Sequence, residues 1–287
     1  MRDTLTRVLA HEDINFLLTN RIPRRWLTLS MARFSKITRP WIRDCSIAMW
    51  RALSDLDLSE AKKENFDSLH DCFTRELRAG ARTIDPDPHV LVSPCDAIVG
   101  ASGPVTGGMA LQAKGFNYPI ADLFGDQEAA EEFAGGRYIT LRLTATMYHR
   151  FHAPADCTVR RVRYIAGDTW NVNPIALKRI ERLFCKNERA AIDCVLNESG
   201  DIVTLVPVAA ILVASIRLHF LDVLLHMKYR GANLIVCDSP MKRGQEMGWF
   251  EHGSTIIVFV PGRYQLSAEI REGQRIKMGQ ALFRSIV

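Results

Sequence analysis

The hydrophobic positions near the start of the chain follow the repeat of a helix. Between residues 42 and 56 an apolar side chain returns every three or four positions, which predicts an amphipathic helix carrying Ile42, Cys45, Met49, Leu53 and Leu56. Residues 57–78 contain few β-branched side chains, and Gly80 is placed to end a helix there. We therefore predict that residues 1–80 are mainly helical.

The pattern changes after residues 84–88 (I-D-P-D-P), because two prolines this close cannot lie inside a helix. Residues 138–145 alternate between polar and apolar side chains, which is typical of a half-buried strand. Residues 255–260 form an uninterrupted apolar run closed by Pro261 and Gly262, which indicates a strand covered on both faces. Further strands are predicted over residues 90–92, 97–99, 157–165, 202–216, 234–237 and 265–270, and a charged surface loop or short helix over residues 182–190.

These elements predict an α+β fold in two parts, with N-terminal helices over residues 1–85 and a mostly antiparallel β domain over residues 86–287. The 287 residues are 47% hydrophobic and 24% charged, which excludes a collagen-like or disordered chain. No apolar run reaches the ~20 residues that a membrane-spanning helix needs, and no signal peptide is visible. Seven scattered cysteines without a C-x-x-C pair predict reduced thiols in the cytoplasm rather than a disulfide framework or a zinc ribbon.

The charge is unevenly distributed. The whole net charge of +5 lies in residues 1–50, which hold nine Lys and Arg against four acids, together with Trp26, Trp41 and Trp50. Basic side chains mixed with tryptophan suit the headgroup layer of an anionic bilayer. A helix packed on the main domain and a nucleic-acid patch are the alternatives. No nucleic-acid-binding motif accompanies the charge, so we predict no nucleic-acid partner.

Three short segments contain candidate reactive side chains, and the first is Gly253-Ser254-Thr255. It stands directly before the predicted buried strand. The unhindered carbonyl of Gly253 suits attack by the Ser254 Oγ, which would turn an amide into an ester. Taken alone, the tripeptide is typical of a turn serine.

The second segment, Y-H-R-F-H-A-P, holds His149 and His152. Imidazoles titrate near neutral pH, which suits acid–base chemistry. Structural histidines and metal ligands are the alternatives, and a metal is weakly supported because only Asp156 and Cys157 stand nearby. In the third segment, S-P-C-D-A, Asp96 is a turn former unless it orients a histidine, as the acid of a nucleophile–base–acid set does.

Together and in this order, the three segments resemble the phosphatidylserine decarboxylase family, in particular its longer, membrane-associated bacterial type. The resemblance covers nearly the whole chain. Ala97 departs from it, since the family commonly has glycine there, and so does His252, since a bulky aliphatic residue often precedes G-S-T. Further matching segments are residues 73–77 with 81–85, 111–118, 167–168 with 171–173, 183–184 with 187–189, and 244–248.

The resemblance implies a zymogen that cleaves itself between Gly253 and Ser254. Asp96 would orient His152, and His152 would deprotonate Ser254 for attack on the Gly253 carbonyl, followed by β-elimination. The products would be a β chain of residues 1–253 and an α chain of residues 254–287, which begins with a covalent pyruvoyl group as the cofactor. The substrate amine would form a Schiff base with it, carbon dioxide would leave, and His149 would supply the proton that yields phosphatidylethanolamine.

The resemblance also implies partners and a location. The substrate, phosphatidylserine, lies in the membrane, the two chains stay together as a heterodimer that dimerises further, and no metal is needed. The basic N-terminal region would bind the anionic bilayer and place the enzyme on the cytoplasmic face of the cell membrane as a peripheral protein.

Three other interpretations fit parts of the sequence. Residues 273–280 resemble the turn of lipoyl- and biotinyl-carrier barrels, although Lys277 lacks the setting of their modified lysine. A serine hydrolase would use Ser254, His152 and Asp96, but the chain lacks the G-x-S-x-G elbow. The third is a degenerate relative that never cleaves. Two chains with a ketone-blocked N-terminus would fit only the decarboxylase.

Overall fold

A computed structural model describes residues 12–20, 23–113, 116–212, 215–251 and 254–286. The helices of these ranges are α1 (Glu12–Asn20), α2 (Arg24–Phe34), α3 (Pro40–Leu53), α4 (Leu69–Phe73), α5 (Ile120–Phe124), α6 (Gln127–Glu131), α7 (Pro174–Leu177) and α8 (Leu183–Lys186). The strands are β1 (Val90–Val92), β2 (Ala97–Pro104), β3 (Met109–Ala113), β4 (Phe116–Pro119), β5 (Arg137–Leu143), β6 (Arg150–His152), β7 (Cys157–Ile165), β8 (Arg189–Leu196), β9 (Ile202–Ala209), β10 (Ser215–Leu218), β11 (Val223–His226), β12 (Leu234–Met241), β13 (Glu246–Phe250), β14 (Ser254–Val260), β15 (Tyr264–Leu266), β16 (Arg275–Ile276) and β17 (Ala281–Ser285).

An eight-stranded antiparallel sheet in the order β12-β7-β8-β9-β14-β5-β2-β16 organises the β part. β14 pairs with β9 on one side and with β5 on the other, and all of its residues are buried. Ile256 and Val258 enter one apolar core, whereas Ile257 and Phe259 enter a second core across the sheet. The strand is therefore covered on both faces, as its apolar run predicts. β5, predicted to be half-buried, is buried at most of its positions because the same two cores cover it.

Two smaller antiparallel sheets and one hairpin complete the fold. Their orders are β11-β10-β13-β6, β1-β17-β15 and β3-β4. β6 carries His152 and pairs with β13, which is the strand that leads toward Ser254. The histidine segment is therefore held beside the chain that precedes the candidate nucleophile.

The α+β class is confirmed, because the described residues form mostly antiparallel strands with few helices. The domain boundary between residues 85 and 86 stays a prediction. The strand predicted over residues 202–216 is two strands, β9 and β10, because the chain turns near Leu212, whose φ of 69° lies in the left-handed region. None of the helices in the described ranges is both long and apolar enough to cross a bilayer.

The helix predicted over residues 57–78 is wrong for most of its length, since only α4 forms there. The Asp57 carboxylate accepts a hydrogen bond from the Ser59 backbone N–H at 2.8 Å, and Ala61 makes an antiparallel bridge with Leu77. Short polar side chains that bond to nearby backbone offer the chain an alternative to the helix. Low β-branched content was therefore not enough to predict a helix here.

The helix predicted around residues 42–56 is confirmed as α3, which ends at Leu53, and part of its apolar stripe is exposed. Met49 and Leu53 are 59% and 63% exposed. Ile47 and Trp50, which lie outside the predicted stripe, pack against a small apolar cluster beneath the helix. Leu56, beyond the end of α3, packs against the same cluster, so the exposed part of the stripe lies within the helix.

Residues 182–190 contain the short helix α8 and the start of β8, and most of them are buried rather than superficial. Leu183, Phe184 and Glu188 are fully buried. The Arg189 guanidinium is also buried, where it donates hydrogen bonds to several backbone carbonyls. Glu188 and Arg189 therefore serve buried polar contacts, whereas Arg182 and Lys186 keep an exposed charged surface as predicted.

Glu188 is buried, and only one of its two carboxyl oxygens has a hydrogen-bond partner among the described residues. Its Oε1 accepts a hydrogen bond from the Tyr164 hydroxyl at 2.9 Å, whereas Oε2 has no partner among the described residues. Burial raises the pKa of Glu188 to about 7, although the bond from Tyr164 acts in the opposite direction. The folded protein therefore favours the protonated carboxyl.

We predict that Glu188→Gln stabilises the fold at high pH and not at low pH. A carboxyl whose folded pKa is raised contributes stability below its ordinary pKa of 4.5, and that contribution is lost as pH rises through about 7. At about pH 8.5, compared with about pH 5, the substitution should add up to ~3 kcal/mol to the free energy of unfolding. Urea unfolding at both pH values measures this, with Glu198→Gln at an exposed position as the control. An effect of Glu188→Gln that does not change with pH would contradict the prediction.

Candidate active site

Ser254 is the first residue of β14, where its backbone pairs with Leu143 on one side and Ala209 on the other. It is fully buried, and its Oγ has no hydrogen-bond partner among the described residues. Leaving a buried hydroxyl without a partner costs about 1–3 kcal/mol. An unpaired polar group in a packed interior therefore requires an explanation, and nucleophilic chemistry is one.

A cavity of about 640 Å³ lies over the end of the sheet where β5 and β9 finish and β14 begins. Ser254 borders it, and most of the other lining side chains are apolar. Phe34, Met49, Leu53 and Leu212 line the cavity and are also exposed, so they mark its mouth. The site is thus a mainly apolar pocket that runs from the surface to a buried hydroxyl.

Asp96 stands directly before β2, and its carboxylate is held by two groups. The Arg82 guanidinium donates to it, with Nε at 2.9 Å, and the backbone N–H of Met278 donates at 2.9 Å. Arg82 is itself nearly buried and also pairs with Glu60 at 2.8 Å. The carboxylate is therefore fixed and charge-compensated before any histidine is considered.

His152 ends β6 and has a partner on each ring nitrogen. Its Nδ1 lies 2.9 Å from the Gly244 carbonyl oxygen, and its Nε2 lies 2.9 Å from the Tyr148 hydroxyl. A carbonyl oxygen only accepts, so Nδ1 carries the hydrogen and Nε2 accepts from Tyr148. Burial lowers the pKa of His152 more than the Gly244 bond and the nearby Asp96 raise it. The ring is therefore neutral near pH 7 and has the protonation state of a base.

His149 is fully buried, and its Nδ1 lies 2.8 Å from the Met147 carbonyl oxygen. Its ring packs on Phe73 with 3.9 Å between the ring centroids, and Phe73 lines the cavity. Its backbone carbonyl accepts a hydrogen bond from the N–H of Phe250, in the strand that leads toward Ser254. His149 thus lies behind one wall of the cavity.

The structure brings the predicted residues into one region but does not connect them as a relay. The backbone N–H of His152 donates to the Pro94 carbonyl at 2.8 Å, which places the histidine next to the segment of Asp96. Neither nitrogen of the His152 ring bonds to Asp96 or to Ser254 in the described part of the chain. Gly253, like His252, lies outside the described residues. The predicted roles of these residues therefore stay predictions.

Two residues that contact this set were missed in the sequence. Tyr148 was noted only as a neighbour of His149, yet it binds the ring nitrogen expected to act as a base. Arg82 was noted only as part of a matching segment, yet it holds the Asp96 carboxylate. The one available signal was the position of Tyr148, four residues before His152. Nothing in the spacing of Arg82 and Asp96 predicts their contact.

Polar contacts tie the N-terminal helices to the segments around the cavity. Lys36, between α2 and α3, pairs with Glu251 at 3.2 Å, close to the end of β13. Burial would raise the pKa of Glu251, but Lys36 and its other neighbours lower it, so the carboxylate is charged. Arg24 pairs with Asp168 at 2.6 Å on another segment near the cavity. The helical region is therefore part of the site and not a separate appendage.

A pyruvoyl group made from a serine needs that serine beside a space that admits a substrate amine. Ser254 meets this requirement, since its unpaired hydroxyl borders the cavity. Within the described ranges, no three His, Cys, Asp or Glu side chains come together as a metal site. The position of Ser254 therefore fits a group made from the chain itself.

The sequence and its motifs are similar to those of known proteins. Residues 69–284 match the family model described as phosphatidylserine decarboxylase. A phosphatidylserine decarboxylase proenzyme from Aliivibrio salmonicida is 33% identical over 272 residues, which cover 90% of this chain and 93% of the relative. Proenzymes of the same name from Pseudomonas fluorescens, 33% identical over 84% of this chain and 87% of the relative, and from an Anaeromyxobacter species, 36% identical over 79% and 82%, are also similar.

Proposed function

The chain belongs to the phosphatidylserine decarboxylase family, and we propose that it decarboxylates phosphatidylserine with a pyruvoyl group formed from its own Ser254. The family and the enzyme class predicted from the sequence are confirmed by the similarity to named relatives. The observation that carries the proposed mechanism is the buried Ser254 hydroxyl, which borders an apolar cavity and has no partner among the described residues.

In this proposal, maturation begins at the Ser254 hydroxyl. His152 takes the proton of Oγ, and Oγ attacks the carbonyl carbon of Gly253, so an ester replaces the peptide bond. Loss of the Ser254 α-proton then expels the Gly253 carboxylate. Water adds to the remaining dehydrated residue and ammonia leaves, which yields the pyruvoyl group. The products are a β chain of residues 1–253 and an α chain of residues 254–287.

The state of His152 supports its role as the base. The ring is neutral because burial lowers its pKa, and its Nδ1–H is held by the Gly244 carbonyl, so Nε2 is the nitrogen that takes a proton. Tyr148 donates to that nitrogen in the structure described here. Its hydroxyl therefore either leaves Nε2 when Ser254 approaches or passes the Ser254 proton to it.

The pyruvoyl group supplies a ketone that binds the substrate amine and an adjacent carbonyl that accepts the electrons released with carbon dioxide. His149 then gives a proton to the α-carbon, and phosphatidylethanolamine is released. The Nδ1 of His149 is engaged by Met147, so Nε2 is the nitrogen for this transfer. Phe73 packs against the ring, so it orients the imidazole at the cavity wall.

We further propose that the enzyme docks peripherally on the cytoplasmic face of the cell membrane through its N-terminal helices. Trp26 and Trp41 are 66% and 68% exposed on α2 and α3. Arg33, Arg39 and Arg51 are exposed and form no ion pair with a described residue. Exposed tryptophan beside unpaired arginine suits the headgroup layer, where each basic residue contributes roughly 1 kcal/mol.

The mouth of the cavity supports this docking. Phe34, Met49, Leu53 and Leu212 form an exposed apolar rim around the entrance. A rim that enters the bilayer would let a lipid reach Ser254 without leaving apolar surroundings.

A further dimer of the two-chain unit also stays a proposal. The exposed Leu234 and Val236 on the edge strand β12 offer a surface for a second copy.

We predict that Ser254→Ala remains a single 287-residue chain without activity, because no hydroxyl can form the ester. The wild type should show two chains, the smaller with a ketone-blocked N-terminus, by denaturing electrophoresis and intact mass. Ser267→Ala removes another hydroxyl that has no described partner and should cleave normally. Two chains from Ser254→Ala would place the scission site elsewhere.

The two histidines should fail at different steps. His152→Ala should accumulate uncleaved precursor, whereas His149→Ala should cleave and then decarboxylate about 10²–10⁴-fold more slowly, the usual cost of losing a general acid. The measurements are cleavage by gel, carbon dioxide release per pyruvoyl group, and melting temperature as a check on folding. Cleavage by His152→Ala together with a block in His149→Ala would reverse the two roles.

Liposome flotation tests the docking surface. Trp26→Ser with Trp41→Ser should weaken binding to anionic vesicles, and higher salt should weaken it further because the Debye length is only about 8 Å at physiological ionic strength. Ile286→Ser removes an exposed apolar side chain far along the chain and serves as the control. Vesicle binding that changes neither with the two tryptophan substitutions nor with salt would contradict the docking proposal.

A further inference from the structure

Arg142 is a partly buried cation without a described counter-ion. It lies on β5, where it pairs with Thr255, the residue that follows Ser254. None of the described residues forms an ion pair with its guanidinium or accepts a hydrogen bond from it. Burial lowers the pKa of Arg142, and no nearby anion offsets this effect. Because an arginine stays protonated in proteins, the site carries an uncompensated positive charge.

Arg142 borders the same cavity as Ser254. Successive residues of a strand point to opposite faces, but the cavity covers the end of the sheet, so terminal residues of both faces border it. Among the described residues that line the cavity, Arg142 is the only charged one. A single cation therefore stands beside the reactive serine in mainly apolar surroundings.

Other buried or partly buried arginines of the region have partners. Arg150 pairs with Glu246 at 2.8 Å, Arg82 pairs with Glu60 and Asp96, and the buried Arg75 donates to backbone carbonyls. Burying a charge is costly unless it is paired. Arg142 has no such partner among the described residues, and an anion that enters the cavity would supply one.

We infer that Arg142 binds the phosphodiester of a glycerophospholipid whose acyl chains fill the apolar part of the cavity. This inference rests on the proposed function. A guanidinium presents parallel N–H donors that match two phosphate oxygens. In phosphatidylserine only the β-carbon and the ester oxygen separate phosphorus from the α-carbon. A residue that holds the phosphate is therefore necessarily close to the reacting atoms, and Arg142 borders the same cavity as Ser254 and pairs with the next residue, Thr255.

The substrate carries a second anion, its carboxylate, but binding that group would slow the reaction. Charge leaves the carboxylate as carbon dioxide forms, so a bound cation would stabilise the ground state more than the transition state. The phosphodiester keeps its charge throughout, so binding it does not oppose decarboxylation. Arg142 is accordingly assigned to substrate binding and not to the chemical step.

Calorimetric binding to the uncleaved Ser254→Ala protein tests this assignment without requiring activity. Short-chain phosphatidylserine and phosphatidylethanolamine share the phosphodiester and differ in the carboxylate. In that background, Arg142→Gln should weaken binding of both lipids by the same factor, about 10–100-fold, as expected for a charge-assisted contact. Arg142→Lys should weaken it less. Arg137→Gln, at the opposite end of β5, is the matched control.

Each alternative outcome is decisive. Weaker binding of phosphatidylserine alone would place Arg142 on the carboxylate, and unchanged binding of both lipids would remove it from the headgroup site. Inorganic phosphate that binds as tightly as the lipids would indicate a free-phosphate site, and each of these three results overturns the inference. In the cleaved enzyme, Arg142→Gln should raise KM more than it lowers kcat. If the wild type neither cleaves nor decarboxylates but both lipids bind through Arg142, the proposed function fails and this inference stands.

Discussion

The backbone ladders that hold β14 between β5 and β9 are the constraint on which the site depends. They fix Ser254 opposite Leu143 and Ala209, at the end of a central strand in a sheet whose two faces are both packed. A serine held in this way cannot turn toward solvent to satisfy its hydroxyl. The cost of the unpaired Oγ is met by the burial of the strand behind it, where each large apolar side chain contributes about 1.5–3 kcal/mol.

The same ladders explain how two chains would stay together after a cut before Ser254. β14 pairs with two strands of the preceding chain, β16 pairs with β2, and β17 pairs with β1. Asp96 adds a contact across the same division, because its carboxylate accepts the N–H of Met278. Its position therefore serves the joining of the two segments as well as any role toward His152. Removing the Asp96 carboxylate would therefore disturb the joining of the two segments as well as any effect of Asp96 on His152.

Sequence periodicity predicted the elements whose form depends on burial alone. The strands over residues 157–165 and 255–260 are examples, since local side-chain character reports which faces are covered. Low β-branched content failed as a helix signal over residues 57–78, where a polar side chain bonds to the nearby backbone and competes with the helix. Periodicity predicted the apolar repeat of α3 but not the direction it faces, because an exposed stripe at a cavity mouth has the same repeat as a buried one.

The candidate site was predictable only as separate segments. The motifs pointed to Ser254, His149, His152 and Asp96, because each stands in a short pattern of its own. Their partners come from distant strands and loops: the carbonyl that orients His152 belongs to Gly244, far along the chain. Pairings of this kind arise from sheet topology, and a single sequence carries no spacing that encodes them.

The basic residues of the N-terminal helices have two uses that the sequence alone does not separate. Basic residues and tryptophans suit a membrane surface, yet Lys36 and Arg24 are used for ion pairs with segments around the cavity. Other arginines on or beside these helices are exposed, and Phe34, Met49 and Leu53 of the same region form the apolar rim. A helix that both lines the cavity and meets the bilayer would give a lipid a continuous apolar path to a buried serine. In such an apolar path Arg142 would attract an anionic group strongly, because little water would screen the interaction between the two charges.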